Sequence, residues 1–194
     1  MNNIRRQSII ASLVIYAGFA IGLLNTYFFT TEGFFTKAEY GLTTIFLAIA
    51  VLMNSLGTLA MPAYIYKFFP YYKDNLKPRQ NDMLTWALLT GIIGFTMVMI
   101  AGIGLKHLVI QKFGTNSPLL IVYYYWVFPF GLGLTIYSIL EAYTWSIGKP
   151  IATNFFREVK WRLLITILIV LFITRVIPDF DLFIKLFALT YPAI

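Results

Sequence analysis

Two long apolar segments flank a short polar turn near the amino terminus. They are residues 8–30, SIIASLVIYAGFAIGLLNTYFFT, and residues 42–66, LTTIFLAIAVLMNSLGTLAMPAYIY, and the turn between them contains TKAEYG at 36–41. A hydrocarbon core of about 30 Å needs roughly 20 apolar residues in a helix, so each segment is long enough to cross a bilayer. We therefore predict a membrane protein.

The composition also favours a membrane protein, and the pattern of the apolar runs indicates helices. Of the 194 residues, 59% are hydrophobic and only 12% are charged. Backbone groups inside a bilayer must be satisfied by a helix or a closed barrel, and these runs lack the alternation of a barrel strand. We predict an all-α fold. With no cysteine and a single histidine, a thiolate or histidine-rich metal centre is excluded, and we expect neither a metal nor a cofactor.

The remaining apolar runs predict a polytopic helix bundle of about six transmembrane helices. The predicted spans are residues 8–30, 41–66, 83–105, 118–141, 160–177 and 181–194. At a rise of about 1.5 Å per residue the last run is too short to cross the core. It is either re-entrant or the beginning of a span that continues in a longer protein, and we favour the second reading. Residues 1–194 then form one membrane lobe.

The distribution of lysine and arginine predicts the orientation. Cations that flank spans are retained on the cytoplasmic side. One side carries Arg5, Arg6, Lys67, Lys73, Lys77, Arg79, Lys149, Arg157, Lys160 and Arg162, and the other carries Lys37, Lys106, Lys112 and Arg175. Ten against four places the amino terminus in the cytoplasm. The net charge of +7 is then explained by the membrane topology, with the cytoplasmic cations next to anionic lipid headgroups. We therefore predict no nucleic-acid partner.

Polar side chains inside the spans are the candidate functional residues, because each costs energy unless it faces protein or water. In the first two spans the candidates for lining a cavity are Ser12, Tyr16, Asn25, Asn54, Ser55 and Thr58. Small residues and hydroxyls also occur where membrane helices pack closely, so packing is the alternative explanation.

Four cations near span ends are candidates for a cytoplasmic mouth. They are Lys67, Arg157, Lys160 and Arg162. Each could snorkel to the headgroups. If the helices bring them together, they would bind a phosphate through charge-assisted hydrogen bonds.

Aromatic residues crowd the start of the fourth predicted span, at Tyr123, Tyr124, Tyr125 and Trp126. They form either an interfacial belt or a platform for sugars. Pro129, which follows, predicts a bend there because proline removes a backbone donor. No enzyme motif is present: the sequence has no phosphate-binding glycine loop, zinc helix motif or nucleophile elbow, and we expect no catalytic residues.

Three short motifs resemble those of a transporter family. The segment 35–42, FTKAEYGL, resembles a turn of the form L-x-P-x-E-Y-G-L, with Lys37 where the family often has proline, and Thr36 and Glu39 have capping-box spacing. Residues 66–72, YKFFPYY, are similar to an R-F-F-P-Y pattern, and Gly148-Lys149-Pro150 with residues 156–159, FREV, is similar to a linker. These motifs occur in the Wzx-type polysaccharide exporters and lipid-linked oligosaccharide flippases of the multidrug/oligosaccharidyl-lipid/polysaccharide superfamily.

The resemblance implies two six-helix lobes around a central cavity, of which this chain covers the first. It implies a flippase that moves polyprenyl-pyrophosphate-linked oligosaccharide across the bacterial inner membrane by alternating access. Basic residues would meet the pyrophosphate, and no cofactor would be needed. Envelope glycan polymerases and glycosyltransferases are candidate partners.

Two alternatives remain open. A drug/cation antiporter of the same superfamily would share the fold, but the first span contains no Asp or Glu to bind a coupling cation. A non-transporting membrane scaffold for envelope glycan enzymes would fill its interior with apolar packing instead of leaving polar stripes facing water.

Overall fold

A computed structural model of the chain describes residues 3–77, 80–113 and 117–194, and this part contains helices and no β-strand. The all-α prediction is confirmed. Arg79, which the sequence places among the cations of one side, lies outside the described residues.

Ten α-helices follow one another along the described residues. They are α1 (Asn3–Thr30), α2 (Lys37–Gly57), α3 (Met61–Asn75), α4 (Met83–Gly104), α5 (Lys106–Phe113), α6 (Pro118–Val122), α7 (Val127–Ser146), α8 (Pro150–Asn154), α9 (Trp161–Ile173) and α10 (Phe180–Ala188). A 3₁₀ turn at Tyr124–Trp126 precedes α7, and a π-helical segment at Phe155–Lys160 joins α8 to α9.

Three helices in the described part of the chain are long and apolar enough to cross a membrane. They comprise Arg5–Thr30 of α1, Lys37–Gly57 of α2 and Met83–Gly104 of α4. These helices overlap the first three predicted spans, and they support a membrane protein.

The start of α2 has the predicted capping box. The backbone N–H of Glu39 donates to Oγ1 of Thr36 at 3.2 Å, and the backbone N–H of Thr36 donates to Oε2 of Glu39 at 2.7 Å. The first backbone N–H groups of a helix have no partner within the helix, and these two bonds satisfy two of them.

The predicted span 41–66 is not one continuous helix. It breaks between Gly57 and Met61, where Leu59 and Ala60 take left-handed backbone angles with φ of 47° and 60°. Pro62 explains why the helix breaks here. Proline has no backbone N–H to donate to the carbonyl one turn earlier, and its ring clashes with that carbonyl. The chain resumes as α3, which packs against α4 and α7.

The last three predicted spans differ from the helices at their ends. The run 118–141 is divided by the 3₁₀ turn that lies just before Pro129, and its main helix extends to Ser146. Pro129 itself falls in the first turn of α7, where a missing N–H costs little. The run 160–177 is preceded by helix from Pro150 onward, and α10 ends at Ala188.

The helices form two groups that share one apolar core. In the first group α2, α4 and α7 pack together; in the second, α1 lies along α8, the π-helical segment and α9. Helix α10 packs on both α7 and α9 and so joins the groups. The phenylalanines Phe46, Phe130 and Phe183 are fully buried at the centre. This arrangement places the charged π-helical segment directly against α1.

Candidate functional site

A network of four charged side chains lies between α7, the π-helical segment and α9. Nη1 of Arg157 lies 3.1 Å from the carboxylate of Glu141, and Nε of Arg157 lies 3.1 Å from Oε1 of Glu158. Glu158 also pairs with Nη2 of Arg162 at 2.8 Å. We call Glu141, Arg157, Glu158 and Arg162 the charged network. Its two arginines and two glutamates balance one another.

Arg162 connects the charged network to α1. Its Nη1 donates to the backbone carbonyl of Gly18 at 3.0 Å, although that carbonyl belongs to a helix. Asn25 lies close by, donating from Nδ2 to the Arg162 carbonyl at 2.9 Å and accepting from the Thr166 hydroxyl at 2.7 Å. The contact is possible because α1 has glycine at positions 18 and 22. A Cβ on Gly18 would overlap the Glu158 carbonyl oxygen, and one on Gly22 would overlap Nη1 of Arg162.

A groove whose mainly apolar wall contains several polar groups opens beside this contact, between α1, α2 and α9. Its volume is about 180 Å³, and Arg162 and Asn25 form part of its wall. Hydroxyl groups supply the remaining polar lining, from Thr26, Tyr40, Thr43 and Thr44. We call this space the polar groove. The hydroxyls of Thr26, Thr43 and Thr44 donate to backbone carbonyls of their own helices, so toward the groove they act as hydrogen-bond acceptors.

A larger, mainly apolar cavity of about 430 Å³ lies on the other side of the π-helical segment. Tyr137, Phe156 and Tyr191 contribute aromatic walls, and Glu141 contributes its one carboxylate. Nη1 of Arg157 lies 3.1 Å from each oxygen of that carboxylate but makes a well-directed hydrogen bond to Oε2 alone. Within the described residues, Oε1 is buried and accepts no hydrogen bond.

The four predicted mouth cations do not gather into one cluster. Arg157 and Arg162 belong to the charged network and share Glu158. Nζ of Lys160 lies 3.4 Å from the Ala193 carbonyl and 4.9 Å from the Phe156 ring centre. Lys67 is exposed on α3, with Nζ 5.3 Å from the ring centre of Phe68. No hydrogen bond or ion pair in the described part of the chain joins Lys67 to the arginines.

The predicted cavity residues also separate. Asn25 lines the polar groove, whereas Ser12 and Tyr16 are exposed on α1. Asn54 accepts a 2.7 Å hydrogen bond from Ser138 of α7. The structure places Ser55 on the surface and buries Thr58 beside the break after α2. For Asn54 the geometry is that of helix packing.

Two of the aromatic residues before α7 already contact other groups of the protein. Tyr124 is buried and donates its hydroxyl proton to the Gly102 carbonyl at 2.7 Å. Tyr125 is half exposed, but Nζ of Lys106 lies 4.1 Å from its ring centre. A sugar would have to displace that ammonium group to stack there.

Three residues that build the site were not predicted from the sequence. They are Gly18, Glu158, and Glu141 as the ion-pair partner of Arg157. The spacing of Gly18 and Gly22, small-x-x-x-small, is a known signature of close contact between membrane helices and was available in the sequence. No local signal could pair Glu141 with Arg157, because the partners lie on different helices.

No family model, curated protein or solved structure matches this chain. Its function must therefore be inferred from the chemistry of the charged network and the polar groove. Together they place guanidinium, carboxylate, amide and hydroxyl groups between helices of a bundle whose core is mainly apolar.

Proposed function

We propose that the protein is a lipid-linked oligosaccharide flippase of the bacterial inner membrane, and that this chain is its amino-terminal lobe with a cytoplasmic amino terminus. It would move polyprenyl-pyrophosphate-linked glycan precursors between leaflets by alternating access. About six membrane-crossing segments would make up the lobe. Envelope glycan polymerases and glycosyltransferases would act with it.

One observation carries the proposal: Arg162 lies in the wall of a groove whose other polar groups are an amide and hydroxyls. A charged residue between membrane helices is costly and is kept where it serves a pathway. A phosphate would compete with the Gly18 carbonyl and Glu158 for the N–H donors of Arg162. The hydroxyls of Thr43 and Thr44 donate to backbone carbonyls and would accept hydrogen bonds from sugar hydroxyls. A scaffold with no cargo would gain more from apolar packing at these positions.

The test compares substitutions at Arg162 by their effect on outer-leaflet glycan. We expect Arg162→Ala to lower translocation about tenfold or more, since a charge-assisted hydrogen bond contributes roughly 1.5–3 kcal/mol. Arg162→Lys should keep part of the activity, because it keeps the charge and loses the planar fork. Arg175→Ala, an exposed cation beyond the end of α9, is the matched control and should translocate normally.

Membrane insertion and expression of each variant must equal those of the native protein. Normal outer-leaflet glycan in Arg162→Ala, at equal expression, would contradict the proposal. Cells that accumulate lipid-linked precursor in the cytoplasmic leaflet would support it.

A drug/cation antiporter is the second candidate, and the positions of two carboxylates favour it. Although α1 has no acid, Glu158 packs against it, and Glu141 lines the aromatic cavity. Carboxylates between helices can bind and release coupling cations. Export of cationic dyes that is lost in Glu141→Gln and retained in Arg162→Ala would favour the antiporter over the flippase.

A further inference from the structure

A third cavity lies at the end of the bundle where α1 begins and α8 starts. It is an open groove of about 530 Å³ between these two helices. Its walls are apolar, formed by Val14 of α1 and by Pro150, Ile151, Phe155 and Phe156. We call it the α1–α8 groove. Phe155 and Phe156 are 46% and 36% exposed, so their rings offer apolar surface that the protein does not cover.

The rim of the α1–α8 groove is basic. Lys149 and Gln7 supply its polar lining, and both are exposed. Arg5 and Arg6 stand on the same end of α1 and are also exposed. The acids of the charged network are already engaged by Arg157 and Arg162, and no ion pair involves Lys149 within the described residues. Neither residues 5–14 nor residues 147–149 include an acidic residue.

We propose that the α1–α8 groove binds an anionic phospholipid of the surrounding membrane. The phosphate meets Lys149 at the rim, with Arg5 and Arg6 adding to the positive potential. An acyl chain lies along Val14, Ile151 and Phe155. An apolar trough with a cationic rim matches a ligand that carries an anionic head on a hydrocarbon tail.

Other occupants fit the groove less well. A soluble phosphate compound would leave the apolar walls in water, and an acidic peptide would bury backbone groups without hydrogen-bond partners. The basic rim belongs to the side on which the sequence predicts most of the cations, and anionic headgroups concentrate beside such cations. This inference does not rest on the proposed flippase activity, because any membrane protein with this groove would hold the lipid.

The experiment is native mass spectrometry of the full chain in neutral detergent, titrated with phosphatidylglycerol or with phosphatidylcholine of the same acyl chains. We expect tighter binding of phosphatidylglycerol. Lys149→Ala should weaken it about fivefold, because a basic residue near an anionic surface contributes roughly that much. Ile151→Trp should abolish it by filling the groove. Lys112→Ala, in α5 at the opposite end of the bundle, is the matched control and should bind as the native chain does.

Two further measurements keep the result interpretable. Thermal unfolding without lipid shows whether each variant is folded, and Lys149→Glu replaces Ile151→Trp if the tryptophan variant does not fold. Equal binding of the two phospholipids, or unchanged binding in Lys149→Ala, would overturn the proposal. So would Lys149-dependent binding of a polyprenyl phosphate without binding of phosphatidylglycerol, since the groove would then belong to the cargo.

Discussion

At the scale of single residues, Gly18 controls how closely α1 approaches the π-helical segment. Its missing side chain admits the Glu158 carbonyl and leaves its own carbonyl open to Arg162. We expect Gly18→Ala to destabilise the protein by about 1–3 kcal/mol, because the new methyl group forces two helices apart. Thermal unfolding in detergent, followed by circular dichroism, measures the change.

Gly41→Ala is the matched control for this prediction. A Cβ on Gly41 meets no atom within 4 Å, and the residue lies in the first turns of α2. Alanine favours a helix over glycine, so this variant should be as stable as the native protein or slightly more stable. If both glycine variants unfold at the native temperature, the tight contact at Gly18 does not exist.

Glu158 is the residue on which both arginines of the charged network depend. Replacing it by glutamine leaves Arg157 and Arg162 without a shared counter-charge. We expect Glu158→Gln to cost about 1.5–3 kcal/mol of stability, the usual contribution of hydrogen bonds to charged groups. In the double variant Glu158→Gln/Arg162→Met the loss should be smaller than the sum of the two single losses, because Arg162 no longer needs a partner. Strict additivity in denaturation measurements would mean that the two side chains do not interact.

At this scale the sequence predicted part of the site. Of the four cations predicted to form a mouth, Arg157 and Arg162 lie together, because both pair with Glu158; their binding of phosphate stays a prediction. Lys67 was grouped with them through the assumption that all cytoplasmic ends converge, whereas α3 carries it on an exposed face. The partners Glu141 and Glu158 balance the arginines, and such pairing depends on helix packing that sequence distance does not reveal.

At the scale of elements, the break between α2 and α3 places two consecutive non-glycine residues in the left-handed region. Leu59 and Ala60 both have left-handed angles, which side chains with a Cβ adopt at a cost of about 1–2 kcal/mol. Ala60→Gly should therefore stabilise the protein by up to about 1 kcal/mol, measured as a rise in unfolding temperature.

Ala63→Gly tests the same substitution where the backbone is helical. Ala63 is exposed in the first turn of α3, so glycine there should lower stability, by up to about 0.5–1 kcal/mol. Opposite signs for the two variants would establish the left-handed geometry. A loss of stability in Ala60→Gly equal to that in Ala63→Gly would mean that α2 continues through the break.

The elements themselves were predicted well where hydropathy decides them. The first and third spans begin and end close to the helices α1 and α4, and the spacing of Thr36 and Glu39 predicted the capping box at α2. Hydropathy did not predict the break at Leu59 and Ala60, because both residues are apolar like the rest of the predicted span 41–66. Helix also begins before the fifth predicted span: Pro150–Lys160 is helical although it carries three charges, and the charged network pairs two of them.

At the scale of the whole molecule, the two helix groups meet across the charged network. The side with most of the lysines and arginines, which we call the basic face, is predicted to lie in the cytoplasm. Helices α1 and α9 run in the same direction, because Gly18 contacts Glu158, Gly22 contacts Arg162 and Asn25 contacts Thr166. Helices α4 and α7 run in opposite directions, since Gly91 lies against Ile139 and Gly102 against Phe128. These directions agree with alternating crossings in which the loop after α3 and the loop after α7 share one side.

The orientation can be tested cleanly because the chain has no cysteine of its own. Gln80→Cys and Lys149→Cys lie in loops of the basic face, and Lys112→Cys lies at the end of α5, twenty-nine positions after Met83 begins α4. In intact spheroplasts a membrane-impermeant maleimide should label Lys112→Cys and spare the other two, whereas inverted vesicles should give the reverse pattern. The physical reason is retention of lysine and arginine on the cytoplasmic side. Labelling of Gln80→Cys and Lys112→Cys from the same side would mean that α4 does not cross the bilayer, and would remove the basis for a six-span lobe.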